Sequence, residues 1–384
     1  MSNKTGTVMV VGGGIAGLTA AWELTRQNIN VELVEKSCFL GGHSIGFTCK
    51  ATDKCQQCGA CSVEAMLANV VNEPLINVHL RTEVKNLNKA DTFKVSLEKS
   101  GFQVEDGKVI KGFSVHNAPL YVAGANCADN ELPSNAVKID DMGSDAEIEV
   151  DAVVVATGFS PFDPNIKSTY GYGKWKNLIT GMELENILRE NTFAVRPSDG
   201  KQPEKIAFIQ CVGSRDERLG NLWCSQVCCA YAMRMAEAIK YKDSNADISI
   251  FYIDIQNTGK EFPVFYEKIK SDVRFVRTIP VDIYPLENDR LKLRHMVEEN
   301  GTPDFEEFDL VVLSVGIMPN EDTDKISKVF NIALNEDGFL DDNAAGTSGV
   351  FVAGTASGPQ GITDTIASSG RTAYETMKYL GVIK

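Results

Sequence analysis

The 384-residue chain carries 38 Lys and Arg against 52 Asp and Glu, a formal net charge of -14, with 43% hydrophobic and 23% charged residues. That balance excludes disordered and fibrous classes, and the length allows two or more domains with separate cores. The acidity excludes nucleic acid as the natural partner, because a phosphate backbone is bound through clustered Lys and Arg that displace counterions.

The N-terminus runs from Met1-Ser-Asn-Lys into a strand-like segment, and no apolar run of about 18 residues follows anywhere, so neither a secretion signal nor a membrane span is predicted. The expected location is the cytoplasm, where ten cysteines are kept reduced and need an explanation other than disulfides.

Residues Thr7 to Val11 read as a buried strand and run into Gly12-Gly-Gly-Ile-Ala-Gly17; a helix over Leu18 to Gln27 and a strand over Val31 to Val34, ending at Glu35, complete a β-α-β unit. The glycines have separate tasks: Gly12 makes the tight turn, Gly14 admits a pyrophosphate to the backbone, and Gly17 lets the helix pack on the strand. The helix N-terminus offers free N–H groups and a favourable dipole to that pyrophosphate. Glu35 stands where an acid accepts hydrogen bonds from ribose hydroxyls.

The segments Asp151 to Gly158 and Asp309 to Gly316 read as strands of the same domain, each closing on a small-residue turn. Val350 to Gly354 is a further short strand, followed by Thr355-Ala-Ser-Gly-Pro-Gln-Gly361 and a helix from Thr363 onward, whose N-terminus is a second anion site. The stretch from Val115 to Asp145 is polar and turn-rich and is expected on the surface.

Lys205 to Cys211 looks like the first strand of a second nucleotide-binding unit, with a helix through Met233 and Ile239 and a strand over Ala246 to Ile253. Its turn has no glycine fingerprint and reads Cys211-Val-Gly-Ser-Arg215 instead. Cys211, Cys224, Cys228 and Cys229 form the pattern C-x12-C-x3-C-C. Four thiolates suit a cubane iron–sulfur cluster, and the alternative is small buried hydrophobes. A second group, Cys49, Cys55, Cys58 and Cys61, reads C-x5-C-x2-C-x2-C and suits either an iron–sulfur cluster or a closed zinc site. Cys38 and Cys127 stand apart as inert thiols. His43 is placed either near the cofactor or in a solvent-facing loop, and His79, His116 and His295 show no constellation. No Ser-His-Asp arrangement, paired carboxylates or P-loop lysine is found.

The segments VVGGGIAGLTAAWEL (10–24), VEKSCFLGGH (34–43), CVGS (211–214), WCSQVCCAYAMRMA (223–236) and VAGTASGPQGITDTIASSG (352–370) resemble the flavin-containing A subunit of heterodisulfide reductases. They also resemble its shorter relative in the quinone-interacting membrane-bound oxidoreductase of sulfate reducers. The resemblance covers most of the chain. It implies an α/β, thioredoxin-reductase-like flavoprotein with two dinucleotide-binding domains, the second nucleotide turn replaced by an iron–sulfur site. It implies FAD, and a 4Fe-4S cluster on Cys211, Cys224, Cys228 and Cys229. The repeated CxxCxxCxxxCP runs of methanogen-type subunits are missing, which favours the short type; a second cluster at Cys49 to Cys61 is a local inference.

The expected FAD-binding domain comprises 1–160, with the Cys49–Cys61 insertion, and a return segment 311–384; the cluster-bearing domain comprises 161–310. The cofactor-binding set is Gly12, Gly14, Ile15, Ala16, Gly17, Glu35, Lys36, Gly41, Gly42, His43, Ala156, Thr157, Gly158, Gly354, Thr355 and Ile362. The implied partners are other iron–sulfur and flavin subunits of a redox complex and a membrane quinone-reactive subunit, which would bring the chain to the inner face of the membrane. NAD(P) is not expected. A pyridine-nucleotide disulfide reductase needs a second GxGxxG, and here the turn is Cys211-Val-Gly-Ser, with Cys228 and Cys229 vicinal. A non-catalytic scaffold holding FAD and zinc is the other rival.

Overall fold

A computed structural model describes residues 6–104, 107–113, 119–256, 262–298, 300–342 and 348–383. The chain divides into two compact units, one made of Met1–Ile45, Gly59–Phe159 and Pro319–Lys384, the other of Gly46–Cys58 and Ser160–Met318.

In chain order, the first unit begins with β1 (Thr7–Val11), α1 (Ile15–Thr25), β2 (Asn30–Val34), α2 (Ala60–Val71), β3 (Ile76–His79) and β4 (Ala152–Val155). The second contributes β5 (Leu178–Thr180), α3 (Gly181–Glu190), β6 (Lys205–Val212), α4 (Cys228–Lys242), β7 (Asp247–Phe251), α5 (Phe262–Ile269), β8 (Arg274–Val276) and β9 (Leu310–Val315). The chain then returns through α6 (Thr323–Phe330), β10 (Val350–Val352) and α7 (Ile362–Tyr379).

The first unit is built on a five-stranded parallel sheet in the order β10-β4-β1-β2-β3. Its interior strand β4, AVVV, is buried throughout, as a helix-covered parallel strand must be. Val8, Val10, Leu18, Leu24, Val31 and Val154 share one core on the α1 face. The second unit repeats the plan with five parallel strands ordered β5-β9-β6-β7-β8. Ile206, Phe208, Leu310 and Val312 pack under α4, while Ala207, Ile209, Val311 and Leu313 face the opposite core. Among the described residues there are also one two-stranded and three three-stranded sheets, and one of the latter, Val109–Phe113, Pro119–Ala123 and Ala136–Lys138, mixes antiparallel and parallel pairing. Among the described residues no helix is long and apolar enough to cross a membrane.

Several expectations are corrected. The helix after the glycine turn starts at Ile15 rather than Leu18, because Gly14 already serves as its N-cap. The strand within Asp309 to Gly316 belongs to the second sheet, where Leu310 to Leu313 pair with Ile206 to Ile209; the return to the first unit comes at Pro319 rather than 311. Residues 46–58 group with the second unit, not the first. The described part of the stretch expected as polar surface forms strands Pro119–Ala123 and Ala136–Lys138, whose Val122 is fully buried beside Cys38. Val115 and His116 lie outside the described residues.

Candidate functional site

In the first unit β1 delivers the chain into the glycine turn, and two glycines there are dictated by close approach. At Gly12, with φ +107°, a Cβ would lie 2.3 Å from the Ala156 carbonyl oxygen; at Gly17 it would lie 1.8 Å from the Gly12 carbonyl oxygen. At Gly14 the situation is opposite: a Cβ would meet only the Gly42 Cα, at 4.0 Å. That open position faces the first turn of α1, whose N–H groups have no intrahelical acceptor, no capping side chain and no acidic neighbour in that turn. A helix end so arranged receives an anion. Ile15, Ala16 and Gly17 are that first turn.

Gly41 is held against the turn, donating to Gly13 O at 2.8 Å and bridging Gly14, with Gly42 next to it. Glu35, 9% exposed, accepts from Gly13 N at 2.6 Å through Oε2 and from Ser37 N at 2.7 Å through Oε1. Each oxygen keeps a lone pair for a further donor. Beside it opens a cleft lined by Gly12, Glu35, Lys36, Thr82, Thr157 and Asn320, with Ile326, Val329 and Phe330 as its apolar wall. Lys36 pairs with Asp322 at 2.7 Å, and Asn320 donates to Thr157 O at 3.0 Å. Gly158 turns the chain out of β4's end with φ +77°. Gly354 and Thr355 lie in a short 3-10 turn, where a Cβ on Gly354 would sit 2.5 Å from the Ala16 Cβ. Ile362 opens α7, whose N-cap is the uncapped Gly361. His43 is exposed, its ring 4.9 Å from that of Phe159. The adenosine-diphosphate half of FAD fits this cradle, because the turn leaves open at Gly14 the space that it closes at Gly12 and Gly17. Thr82, Asn320, Asp322 and Lys325 were not singled out from sequence; the only signal was the small-residue turn after β9.

In the second unit the corresponding turn lies between β6 and α4. The β6–β9 pairing shifts register between Ile209 and Val212, and Cys211 sits in that irregularity with φ +56°. Arg215 and Gln226 are likewise left-handed, at +53° and +59°. Non-glycine residues held this way cost energy and cluster at functional sites. The loop is pinned internally: Arg215 N donates to Trp223 O at 3.1 Å, Asn221 Nδ2 to Gly213 O at 2.8 Å, and Ile317 N to Ser225 Oγ at 2.8 Å. Cys228 and Cys229 are the first two residues of α4 and are each 5% exposed.

Cys211, Cys228 and Cys229 are each perturbed by neighbouring cysteines. Burial pushes the Cys211 thiol up to about 12, and negative charge at Cys229 and Cys224 adds to the effect, while the Arg215 guanidinium opposes it. Cys228 is raised well above its ordinary value by burial first and then by Cys211, Cys229 and Cys224. Cys229 is raised by burial. Arg215 forms a bidentate pair with Asp254 and holds that carboxyl below the usual range. Raised in this way, Cys211, Cys228 and Cys229 favour the thiol form; a bound cation would stabilise the thiolates. Around it Gln210, Ser214, Ser314 and Tyr231 have buried side-chain polar atoms without hydrogen-bond partners among the described residues. The donor set and these orphaned groups fit a cysteine-ligated centre.

Cys49, Cys55 and Cys58 lie on the segment 46–58 of the same unit, and Cys61 opens α2 in the other. Cys49, Cys55 and Cys61 are exposed. The segment is anchored by a buried Lys50–Glu185 ion pair, by Thr48 N donating to Glu185 Oε2 at 2.9 Å, and by Arg234 Nε donating to Gln56 O at 2.9 Å. Cys38 and Cys127 are buried, and burial raises Cys38 to about 11. His295 is not isolated as expected: its Nε2 is 2.9 Å from Glu306 Oε1 and 4.0 Å from Asp304 Oδ2, because strand Leu291–Met296 pairs antiparallel with Pro303–Phe308.

The profile of the pyridine nucleotide-disulphide oxidoreductase family matches residues 6–209. The A subunit of the H(2):CoB-CoM heterodisulfide,ferredoxin reductase of Methanothermobacter thermautotrophicus is 32% identical over 415 residues, covering 95% of this chain and 62% of that protein. The second iron-sulfur A subunit of the CoB--CoM heterodisulfide reductase of Methanopyrus kandleri is 32% identical over 418 residues, covering 96% and 63%. The chain thus spans somewhat under two thirds of the curated relatives it matches. Thioredoxin reductase of T. acidophilum shares the fold, with a TM-score of 0.58 over 98% of both chains at 14% identity. The chain is therefore an oxidoreductase that belongs to the pyridine nucleotide-disulphide oxidoreductase family and, within it, is a relative of the heterodisulfide reductase A subunits.

Proposed function

We propose that this chain is the FAD- and 4Fe-4S-containing electron-transfer subunit of a heterodisulfide-reductase-like or quinone-interacting oxidoreductase complex. The observation that carries the proposal is the turn between β6 and α4. Where a nucleotide-binding unit of this family plan would present glycines, the chain presents the half-buried Cys211 and Cys224 and the buried Cys228 and Cys229 on one turn and helix start, close enough to perturb one another.

FAD, which family membership supports, exchanges electrons singly or in pairs and a 4Fe-4S cluster exchanges them singly, so together they supply two-to-one conversion. The first turn of α1 would hold the pyrophosphate through Ile15, Ala16 and Gly17 N–H groups, and Glu35 would orient the ribose. Gly354 and Thr355, beside Ala16, would bound the cofactor from the return segment. In the second unit the four thiolates would ligate the cluster, and Arg215, fixed by Asp254, would place a positive charge near them. The other iron–sulfur and flavin subunits of the complex would supply and remove electrons, and a quinone-reactive subunit would bring the chain to the inner face of the membrane.

The test is iron, sulfide and flavin content with paramagnetic resonance on the anaerobically purified chain and on Cys228→Ser. The proposal expects one cubane signal of the parent to be lost in the variant with FAD retained. Zinc in place of iron, or a variant with unchanged iron and signal, would refute it.

A further inference from the structure

Buried polar side chains in the second unit differ in how they are satisfied: Ser225 Oγ accepts from Ile317 N at 2.8 Å and Asn177 Nδ2 donates to Asp289 O at 2.9 Å, while Ser214 and His295 each leave one polar atom without a partner among the described residues. Gln210 and Ser314 are the completely buried cases. Both are 0% exposed, and neither amide atom of Gln210 nor the Ser314 hydroxyl has a partner among the described residues. The Tyr231 hydroxyl is buried in the same condition. Burying an amide with both ends unmade is among the least favourable things a core can do, so a ligand or water is called for at this place.

The sheet register brings the three together. Alternation along β6 turns Ile206 and Phe208 toward α4, and alternation along β9 turns Leu310 and Val312 the same way. Gln210 and Ser314 follow directly on the last regular pair, Ile209 with Leu313, just before the register shift that precedes Val212, and continued alternation would bring them together. They close the rows at the end where Cys211 leaves β6 and where Val315 O lies 3.8 Å from Cys228 Sγ. Tyr231 is three residues after Cys228 on α4, hence on the same helix face, and it packs on the same core. The Cys228 and Cys229 thiols are its electrostatic neighbours, and the Ser314 hydroxyl interacts with its own hydroxyl without reaching the geometry of a full hydrogen bond.

We infer that Gln210, Ser314 and Tyr231 form a hydrogen-bond-donating floor under the cysteine site and raise the reduction potential of the cluster bound there. This rests on the cluster assigned above. The three side chains offer two N–H and two O–H donors, and Gln210 Oε1 is an acceptor able to orient one of the hydroxyls. Donors facing the ligating sulfurs stabilise the more negative, reduced state more than the oxidised one, so they shift the potential upward.

The experiment is a redox titration followed by paramagnetic resonance on the full chain and on Gln210→Met, Ser314→Ala and Tyr231→Phe, with iron measured on each. The last two remove one hydroxyl each at nearly constant shape and remain informative where Gln210→Met fails to fold. Iron should be retained and the midpoint should fall; for Gln210→Met the reduced-to-oxidised ratio at the parent's midpoint should drop about tenfold, which is 59 mV for a one-electron couple. Couplings to exchangeable protons near the cluster should weaken in the same variants. Retained clusters with unchanged midpoints in Ser314→Ala and Tyr231→Phe would overturn the inference and leave the polar patch to internal water. A parent chain without an iron–sulfur signal would instead remove the cluster assignment itself, and this inference with it.

Discussion

Alanine at Gly14 and at Gly17 should have opposite consequences, although the two glycines stand three residues apart in one motif. At Gly17 the new Cβ would lie 1.8 Å from Gly12 O and 3.0 Å from Gly12 C. Both are backbone atoms, and Gly12 is fixed by its own N–H bond to Val34 O at 2.8 Å. No rotamer relieves that contact, so α1 must shift, at a cost of about 1–3 kcal/mol or more for overpacking. At about 2–4 °C per kcal/mol the melting temperature should fall by roughly 2–12 °C, with or without flavin. At Gly14 the backbone, φ -75° and ψ -178°, is one that alanine adopts, and the Cβ meets nothing nearer than 4.0 Å. The flavin-free variant should match the parent to within about 0.5 kcal/mol. Its methyl group, however, would fill the place that the proposed FAD site assigns to the pyrophosphate. The parent at a flavin concentration of 100 times Kd gains about 2.7 kcal/mol from binding, and Gly14→Ala should lose most of that gain. The assay is thermal unfolding with and without added FAD, together with flavin absorbance on the purified proteins. A Gly14→Ala chain that keeps full FAD occupancy would refute the assignment of the turn, and a Gly17→Ala chain as stable as the parent would refute the packing argument.

NADH and NADPH should not reduce the flavin at a useful rate, because the turn between β6 and α4 presents cysteines rather than a glycine fingerprint; rapid bleaching on mixing would contradict this. The spacing of Cys49, Cys55, Cys58 and Cys61 predicts a second metal, so iron and zinc counted per flavin should exceed the content of a single cubane. Lys50→Met should destabilise the chain by about 3–5 kcal/mol, because it strands the Glu185 carboxylate in a buried site, where the two side chains are 3% and 5% exposed; denaturant unfolding within about 1 kcal/mol of the parent would contradict it. Hydrogen bonding from Arg274 holds Glu306 below its ordinary 4.5, against the opposing effect of burial. A depressed folded-state pKa contributes stability that is fully present above the unfolded value and is lost as pH falls through the folded one. Unfolding midpoints should therefore fall more steeply below pH 4.5 in the parent than in Glu306→Gln, and equal slopes would remove this carboxylate from the acid response.

What the sequence discloses differs by the range of the interaction involved. The first β-α-β unit is legible because its glycines, its strands and Glu35 are set by contacts within about 30 residues. The cysteine turn is legible for the same reason, since Cys211 to Cys229 follow a strand and open a helix. Which sheet a buried strand joins is another matter. Asp309–Gly316 and Asp151–Gly158 are apolar runs of the same kind, and only the pairing of Leu310 with Ile206 separates them. The cleft residues Thr82, Asn320 and Asp322 carry no motif, because each is placed by folding across more than 40 positions from Glu35. His295 likewise gains its carboxylate neighbours through strand register.

Gln210 and Ser314 show how much a pattern violation can carry once register is known. In KIAFIQC and LVVLSV each is a single polar interruption near the end of an apolar strand. Taken singly, either is an ordinary buried polar residue expected to find a nearby partner. Following the last regular pair of adjacent strands, where continued alternation would put them together on the α4 face, and both unpartnered, they require something between the sheet and the start of the helix that accepts or relays hydrogen bonds. The cysteines at that helix start supply a reason for such a group to be there, and the paired interruptions supply an independent one.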